Sequence, residues 1–369
     1  MKRSNRSRSS KAAQSQTESK KYPKPLCRNL ARPVRPLGPA VMADPRRAAA
    51  ILSTSSKWVN GTVLHYCFFK AGSRFSVPKS QADAIRDAFA KWKAVGIGLE
   101  FREVNQLSEG EVRIGYSTAD GSSASAVGRD VLQVPLNEPT TVYGWDLTTP
   151  YGRGTALHEL GHVLGMEHEH QNPRAGIKWH EQAVYDALSQ PPNGWDHDTI
   201  YQNILKKLSL QQVQGSTWDP NSIMEYEFEP GLIDEPEEYD IHGLTPPGTL
   251  SKADKEWALK WYPGLAANLP TLQPFQAVAV DLAAGQQADF AIRPAASRKY
   301  TIETRGASDT LLVLFEDVNG ESRYLTGDDD SGEDWNAKIA YKLFKTRKYI
   351  VRLRMYYPGQ SGRTSLMYL

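Results

Sequence analysis

His158-Glu159-Leu160-Gly161-His162-Val163-Leu164-Gly165-Met166-Glu167-His168 carries three histidines at offsets of four and six residues. On a helix, residues four apart differ by about 40° around the axis and about 6 Å along it, so His158 and His162 present their imidazoles to one ion from one face. His168 cannot join them on a continuous helix, because six further residues would swing it about 240° round and carry it about 9 Å away. The chain must leave the helix between the second and third histidine. Gly165 is the residue that tolerates the positive φ of so sharp an exit.

Three neutral nitrogen ligands leave an open position on zinc, the arrangement of a catalytic rather than a closed structural site. Glu159, adjacent to a ligand, is placed to take a proton from zinc-activated water and pass it to a leaving amine, so amide hydrolysis is the expected chemistry. A His-Glu-x-x-His match alone is weak, but the eleven-residue pattern arises by chance in a chain like this with a probability of roughly 10⁻⁵.

That pattern resembles the signature of the metzincin clan of zinc peptidases. The continuation His168-Glu169-His170-Gln171-Asn172-Pro173-Arg174 is similar to the corresponding segment of astacin-type peptidases, and Ser222-Ile223-Met224-Glu225-Tyr226 resembles their Met-turn, in the same order along the chain. Leu250-Ser251-Lys252-Ala253-Asp254 is similar to the end of such domains, so the resemblance covers about residues 57–263. It implies one catalytic Zn2+ on His158, His162 and His168, with Glu159 as general base and Met224 in an apolar floor beneath the metal. It also implies that Tyr226 binds the metal or stabilises the oxyanion, a role that suits a phenol donor. The implied fold has a mixed twisted sheet, helices and a cleft bordered by an edge strand that pairs with an extended polypeptide; Ser122 to Gly128 is the candidate strand. A zinc-dependent metalloendopeptidase is therefore expected. The chain departs from the pattern in having Glu225 where a histidine is usual, and in lacking the four cysteines of the astacin-type disulfides.

Two readings compete with it, a non-catalytic zinc-stabilised binding protein and a zinc hydrolase of a small amide. Glu159 and Tyr226 speak against the first, since neither is needed merely to hold metal, and an open edge strand speaks against the second.

Outward from the motif, the order of elements predicts an α+β catalytic domain. A turn at Asn60-Gly61 precedes a strand from Thr62 to Phe69, and helical periodicity runs from Ser80, the expected N-cap, to Val95 with Gly96 as the stop. Strand patterns follow at Leu99 to Val104, Glu111 to Tyr116, Ser122 to Val127 and Thr141 to Trp145. Helices are expected over Gly154 to Leu164, Glu181 to Leu188, Asp198 to Leu208 and Lys252 to Trp261. Pro263-Gly264 and a proline-punctuated segment mark a change of texture to short alternating strands, at Ala277 to Leu282, Asp289 to Ile292, Lys299 to Thr304, Thr310 to Phe315, Ile339 to Lys342 and Tyr349 to Tyr356, which predict an all-β sandwich. The expected division is a tail over 1–55, a catalytic domain over 56–264 and a β-sandwich domain over 265–369. The last resembles the prepeptidase C-terminal modules appended to microbial peptidases.

Charge is uneven along the chain. Residues 1–50 hold 13 Lys and Arg against Glu18 and Asp44, leaving 31 basic and 40 acidic residues for the remainder. So basic and apolar-poor a segment is read as a disordered tail or propeptide. After Met1-Lys2-Arg3 comes only polar sequence, so no classical secretory signal is expected there, whereas the resemblance implies an extracellular enzyme. No apolar run is long enough to span a membrane, no nucleic-acid-binding pattern is evident, and a monomer acting on a polypeptide substrate is expected. Cys27 and Cys67 are the two cysteines, too few for a disulfide framework.

Three weaker signals remain. Cys27 sits where a thiolate could cap zinc and keep the enzyme silent, against the plainer reading of an unpaired tail cysteine. The acidic stretch Glu225 to Asp240 would favour basic substrate residues near the cleft, unless it is a solvated loop. Asp309, Asp328, Asp329 and Asp330 offer hard oxygen ligands for Ca2+, unless Asp-Asp-Asp-Ser-Gly is only a turn.

Overall fold

Six residues dense in β-formers, Val63 to Phe68, follow the Asn60-Gly61 turn, where Gly61 takes φ 86°. They lie inside a six-stranded sheet built from β1 (Arg28–Asn29), β2 (Val63–Phe68), β3 (Glu100–Glu103), β4 (Val112–Tyr116), β5 (Ala124–Ser125) and β6 (Thr141–Tyr143), in the spatial order β1-β5-β6-β4-β2-β3. All pairings are parallel except β5 with β6. The computed structural model describes residues 25–29, 57–119, 121–208, 217–356 and 360–369.

Helix α1 (Lys79–Ala94) buries Ala82, Ile85, Ala88, Phe89 and Trp92 along one face, with Ala84 only partly buried. Its N-cap is Pro78 in extended conformation rather than Ser80, which lies one residue inside the helix; a proline at the entry needs no N–H and so competes well there. Helix α2 (Pro150–Val163) starts a turn earlier than Gly154, because Thr149 accepts from the Gly152 N–H and Pro150 takes the first helical position. Trp92 Nε1 donates to the Leu157 carbonyl at 3.0 Å and ties α1 to α2.

A small two-stranded sheet of β7 (Lys178–Trp179) and β8 (Ile233–Glu235) flanks α3 (Glu181–Leu188), α4 (His197–Ile200) with its π-helical extension Tyr201–Leu205, and α5 (Glu237–His242). Helix α6 (Lys252–Trp261) matches its expected limits, with the capping box Ser251/Asp254 that the resemblance segment contains. One core joins the six-stranded sheet, α1, α2 and α6, and a second gathers Ile177, Val184, Ile200, Tyr226 and Ile233.

Beyond residue 275 two antiparallel four-stranded sheets enclose a separate core of Ile302, Leu312, Leu314, Val351, Leu353 and Leu366. They contain β9 (Val278–Leu282), β10 (Gln287–Ile292), β11 (Arg298–Arg305), β12 (Thr310–Val318), β13 (Glu321–Asp328), β14 (Lys338–Leu343), β15 (Lys348–Met355) and β16 (Gly362–Tyr368), ordered β10-β15-β12-β13 and β14-β11-β16-β9. The sandwich pattern therefore holds, with β13 and β16 added. Arg352 joins this region to the turn before β2: its guanidinium pairs with Asp289 at 2.8 Å and donates to the Asn60 carbonyl. Among the described residues no helix is long and apolar enough to cross a membrane.

The tail expectation needs one correction. Residues 25–29 have a defined place against α2 and β5, with Leu26 and Cys27 each 6% exposed. Composition over fifty residues does not reveal a short Pro-Leu-Cys anchor that a preformed cleft can hold. The rest of the expected tail, residues 1–24 and 30–55, lies outside the described residues.

Candidate metal centre

His158 and His162 are on the buried side of α2, with ring centroids 4.8 Å apart. The helix then ends as the spacing required. Gly165 takes φ 89°, its N–H donates to the His162 carbonyl at 2.8 Å, and the Met166 N–H donates to the Gly161 carbonyl at 3.0 Å. His168 follows in extended backbone and returns to the helix, its Nε2 3.0 Å from His162 Nε2.

The outer nitrogens fix which atoms face inward. His158 Nδ1 meets the Ile223 carbonyl at 2.7 Å and His162 Nδ1 meets the Met166 carbonyl at 2.8 Å. A carbonyl can only accept, so each Nδ1 carries the proton and each Nε2 presents a lone pair to the centre. Burial holds His162 down to about 4. Burial, then the neighbouring His162, also pushes His158 and His168 well below the usual range, so all three rings are neutral.

Cys27 completes the group. Its Sγ lies 2.9 Å from His158 Nε2 and 3.6 Å from His168 Nε2, and the four ligand atoms are all within 4.8 Å of one another. Tetrahedral zinc with nitrogen at ~2.0–2.1 Å and sulfur at ~2.3 Å has ligand-to-ligand edges of about 3.3–3.6 Å, so this dense, dry set fits one such ion. Burial, then the nearby Glu159 carboxylate, raises the Cys27 thiol well above its ordinary range; a bound cation reverses that balance and favours the thiolate.

Glu159 is fully buried beside the group, and neither carboxylate oxygen has a hydrogen-bond partner. Burial raises it well above the normal carboxylate range, an effect the nearby Cys27 thiol partly offsets. The Tyr226 ring centroid is 4.4 Å from that of His168, and its hydroxyl donates to the Cys27 carbonyl at 2.6 Å. Met224 packs its sulfur directly beneath Gly161, where a Cβ would collide with it, and its carbonyl accepts from the Glu169 N–H at 3.1 Å. The turn that carries it is held by Asp254 of α6, which accepts from Ser222 Oγ at 2.6 Å and from the Ile223 N–H at 2.8 Å.

The structure thus brings together His158, Glu159, His162, His168, Met224, Tyr226 and Cys27, with Gly165 at the bend. Sequence reasoning had Asp254 only as part of a terminal segment and attached no role to it. Glu225, at the unusual position of the Met-turn, is buried and committed: it accepts from Trp218 Nε1 at 2.7 Å and from the Tyr226 N–H at 2.8 Å, and lies 3.4 Å from His170 Nδ1. The four aspartates considered for calcium stay apart from the centre. Asp328 accepts from the Ser331 and Lys338 N–H groups, as a turn residue does, and among the described residues the Cys27/His158/His162/His168 group is the only set of three or more ligands near enough to share an ion.

Beside His158 and Tyr226 a cavity of about 260 Å³ opens between α2, the Met224 turn and the Thr245–Gly248 loop, with Leu26 and Cys27 at its inner edge.

No family model matches the chain, and no curated protein does. Among solved structures it is similar to "Structure of myroilysin", at 27% identity and a TM-score of 0.51, covering 57% of this chain and 97% of that one. A second myroilysin crystal structure gives 23% identity and a TM-score of 0.45, over 65% and 91% of the two chains. The pre-peptidase C-terminal domain of a Bacillus anthracis collagenase gives 13% identity and a TM-score of 0.24, over 29% and 99%. Only the first of these is near enough to weigh: it places the chain in the fold of myroilysin over more than half its length.

Proposed function

We propose that this chain is a zinc-dependent metalloendopeptidase of the metzincin type, with its catalytic domain over residues 56–264, held latent by its own segment 25–29. The observation that carries the reading is the convergence of three Nε2 lone pairs and one thiol beside a buried, unpartnered glutamate. A structural zinc site needs no such carboxylate. The likeness to myroilysin supports it.

His158, His162 and His168 would hold the zinc, with Cys27 in the fourth position. Zinc, when bound, supplies a Lewis acid that acidifies water and polarises a carbonyl. Glu159, buried beside the ligands, would take the proton from the water and return it to the leaving amine. Tyr226 already donates to one peptide carbonyl, that of Cys27, next to the metal position; once the segment leaves, the same donor is available to an oxyanion at that place. β1 lies on β5 as an extended chain, and its departure leaves β5 as a sheet edge for a substrate backbone.

Cobalt loading of the full chain tests the ligand set and casein digestion tests the activity. The cobalt-loaded chain should absorb in the sulfur-to-metal charge-transfer region and the Cys27→Ala variant should not. Cys27→Ala, carrying one zinc, should cleave denatured casein internally, stop on chelation and recover with zinc. One bound zinc with no cleavage after removal of the thiol would favour a binding protein or a small-amide hydrolase instead.

A further inference from the structure

In the β-sandwich, residues before β12, between β13 and β14, at the end of β15 and before β16 surround a cavity of about 440 Å³. That volume lies within the ~300–1,000 Å³ of ordinary ligand pockets. Asp309, Trp335 and Met355 line it. Trp335 is 62% exposed, an unusual place for an indole, and Tyr356, which follows Met355, is 44% exposed. Backbone bonds tie both to the segment of Asp309: the Tyr356 N–H donates to the Asp309 carbonyl at 3.1 Å, and the Thr310 N–H to the Trp335 carbonyl at 3.2 Å. The loop that carries Trp335 is also held from within, because buried Asn336 donates through Nδ2 to the Gly306 carbonyl at 3.0 Å and to the Glu333 carbonyl at 2.6 Å. Trp335 therefore stands in solvent on a fixed backbone. The charge beside it is of one sign. Asp309 Oδ1 is shut off from solvent and has no hydrogen-bond partner. Burial, then Asp330 and Asp329, raise the Asp309 carboxyl above its ordinary range, and every one of these influences disfavours the anion. Residues 328–334 hold Asp328, Asp329, Asp330, Glu333 and Asp334, with no Lys or Arg among them.

We infer that this cavity docks a lysine or arginine side chain of a polypeptide, with Asp309 as its anion and Trp335 as its aromatic face. The site belongs to the sandwich, so the inference stands apart from the peptidase reading. A cation in the cavity stabilises a carboxylate that neither water nor a protein donor fully satisfies, and an indole face attracts an ammonium or guanidinium. The methylene stem of the same side chain covers Met355. A sugar also stacks on an indole, but it leaves the charges of Asp309, Asp329 and Asp330 uncompensated. Ca2+ takes six to eight oxygen ligands, whereas among the described residues no three of these carboxylates come near enough to share an ion. Charge complementarity therefore selects a basic polypeptide over both.

The test titrates the full-length chain into fluorescein-labelled hexalysine and follows anisotropy, with the lysine-acetylated peptide as the uncharged control. Hexalysine should bind saturably and more weakly as salt rises, and the acetylated peptide should not bind. Asp309→Asn, which keeps the size of the side chain, should weaken binding about tenfold, the effect of one partly desolvated charge pair. Trp335→Ala, at an exposed position, should weaken it about two- to fivefold. Asp87→Asn, exposed on α1, should leave it unchanged, which separates this cavity from the overall charge. Equal affinity in the parent, Asp309→Asn and Trp335→Ala would overturn the site. So would failure of hexalysine to bind while Ca2+ or maltohexaose, titrated in its place, binds the parent and not Asp309→Asn.

Discussion

Asp254→Ala tests how helix α6 reaches the histidine cluster. The carboxylate is 5% exposed and accepts three bonds: from Ser222 Oγ at 2.6 Å, the Ile223 N–H at 2.8 Å and the Ser251 N–H at 2.7 Å. Alanine strands the first two donors in the interior, at about 1–3 kcal/mol each, and removes half of the α6 capping box, at about 0.5–1 kcal/mol. The sum, about 2.5–7 kcal/mol, is a large share of the ~5–15 kcal/mol typical of a folded domain. The consequence is not only global, because the Ile223 carbonyl orients His158 through Nδ1. Loosening it should weaken zinc binding about 10–100-fold, the usual cost of losing a ligand's outer partner. Urea denaturation of the zinc-loaded chain would give the stability loss from the midpoint at unchanged slope, and competition with a metal indicator would give the affinity. Asp254→Asn, which keeps an acceptor oxygen in place, should recover at least half the stability. A loss below about 1 kcal/mol together with unchanged zinc affinity would refute this chain of contacts.

Other perturbations separate the remaining parts. Gly165→Ala forces an L side chain into φ 89° and should cost about 1–2 kcal/mol while weakening zinc binding, read by the same two assays. Arg352→Met strands the Asp289 carboxylate and should cost about 3–5 kcal/mol, most of it recovered by adding Asp289→Asn; equal losses in the single and double variants would contradict a buried ion pair. Lys57, its Nζ 4.3 Å above the Trp261 ring, is held down to about 8 by burial and then by Arg354. Between about pH 8 and the ordinary lysine value of 10.5 the native state binds fewer protons than the unfolded chain, so stability should rise with pH across that window. Discounted for partial exposure, the rise is about 1–3 kcal/mol, and Lys57→Met should flatten it in urea titrations at successive pH values.

The convergence of the three histidines was legible because helical geometry is local: four residues bring two of them together, and one glycine explains the third. The sandwich was legible from alternation, but β13 and β16 were not, since Glu321–Asp328 and Gly362–Tyr368 carry too many polar residues to look like strands. The early start of α2 was hidden by Gly152 and Gly154, which leave no side-chain periodicity; Gly152 is required there because a Cβ would strike the Asp146 carbonyl. Long-range partners were least legible. Cys27 is 131 residues from His158, and its place upstream of the domain offered a zinc-capping thiolate as only one of two readings, because nothing local separates it from an unpaired cysteine until the cleft exists to receive it. The Asp254 contact with Ser222 spans 32 residues and has the same character. The acidic run after the Met-turn looked uniform, yet its members differ: Glu225 is a core acceptor, Glu227 lines the cavity, and Glu229, Asp234, Glu237 and Glu238 face solvent.

The most direct measurement compares internal cleavage of denatured casein by Cys27→Ala and by Cys27→Ala/Glu159→Gln, with zinc content determined on each. Both should bind one zinc, and the glutamine chain should be slower by about 10²–10⁴-fold, the usual contribution of a positioned proton acceptor. Equal rates in the two zinc-loaded chains, or no metal-dependent cleavage in either, would contradict the assignment of Glu159 and, with it, the proposed hydrolysis.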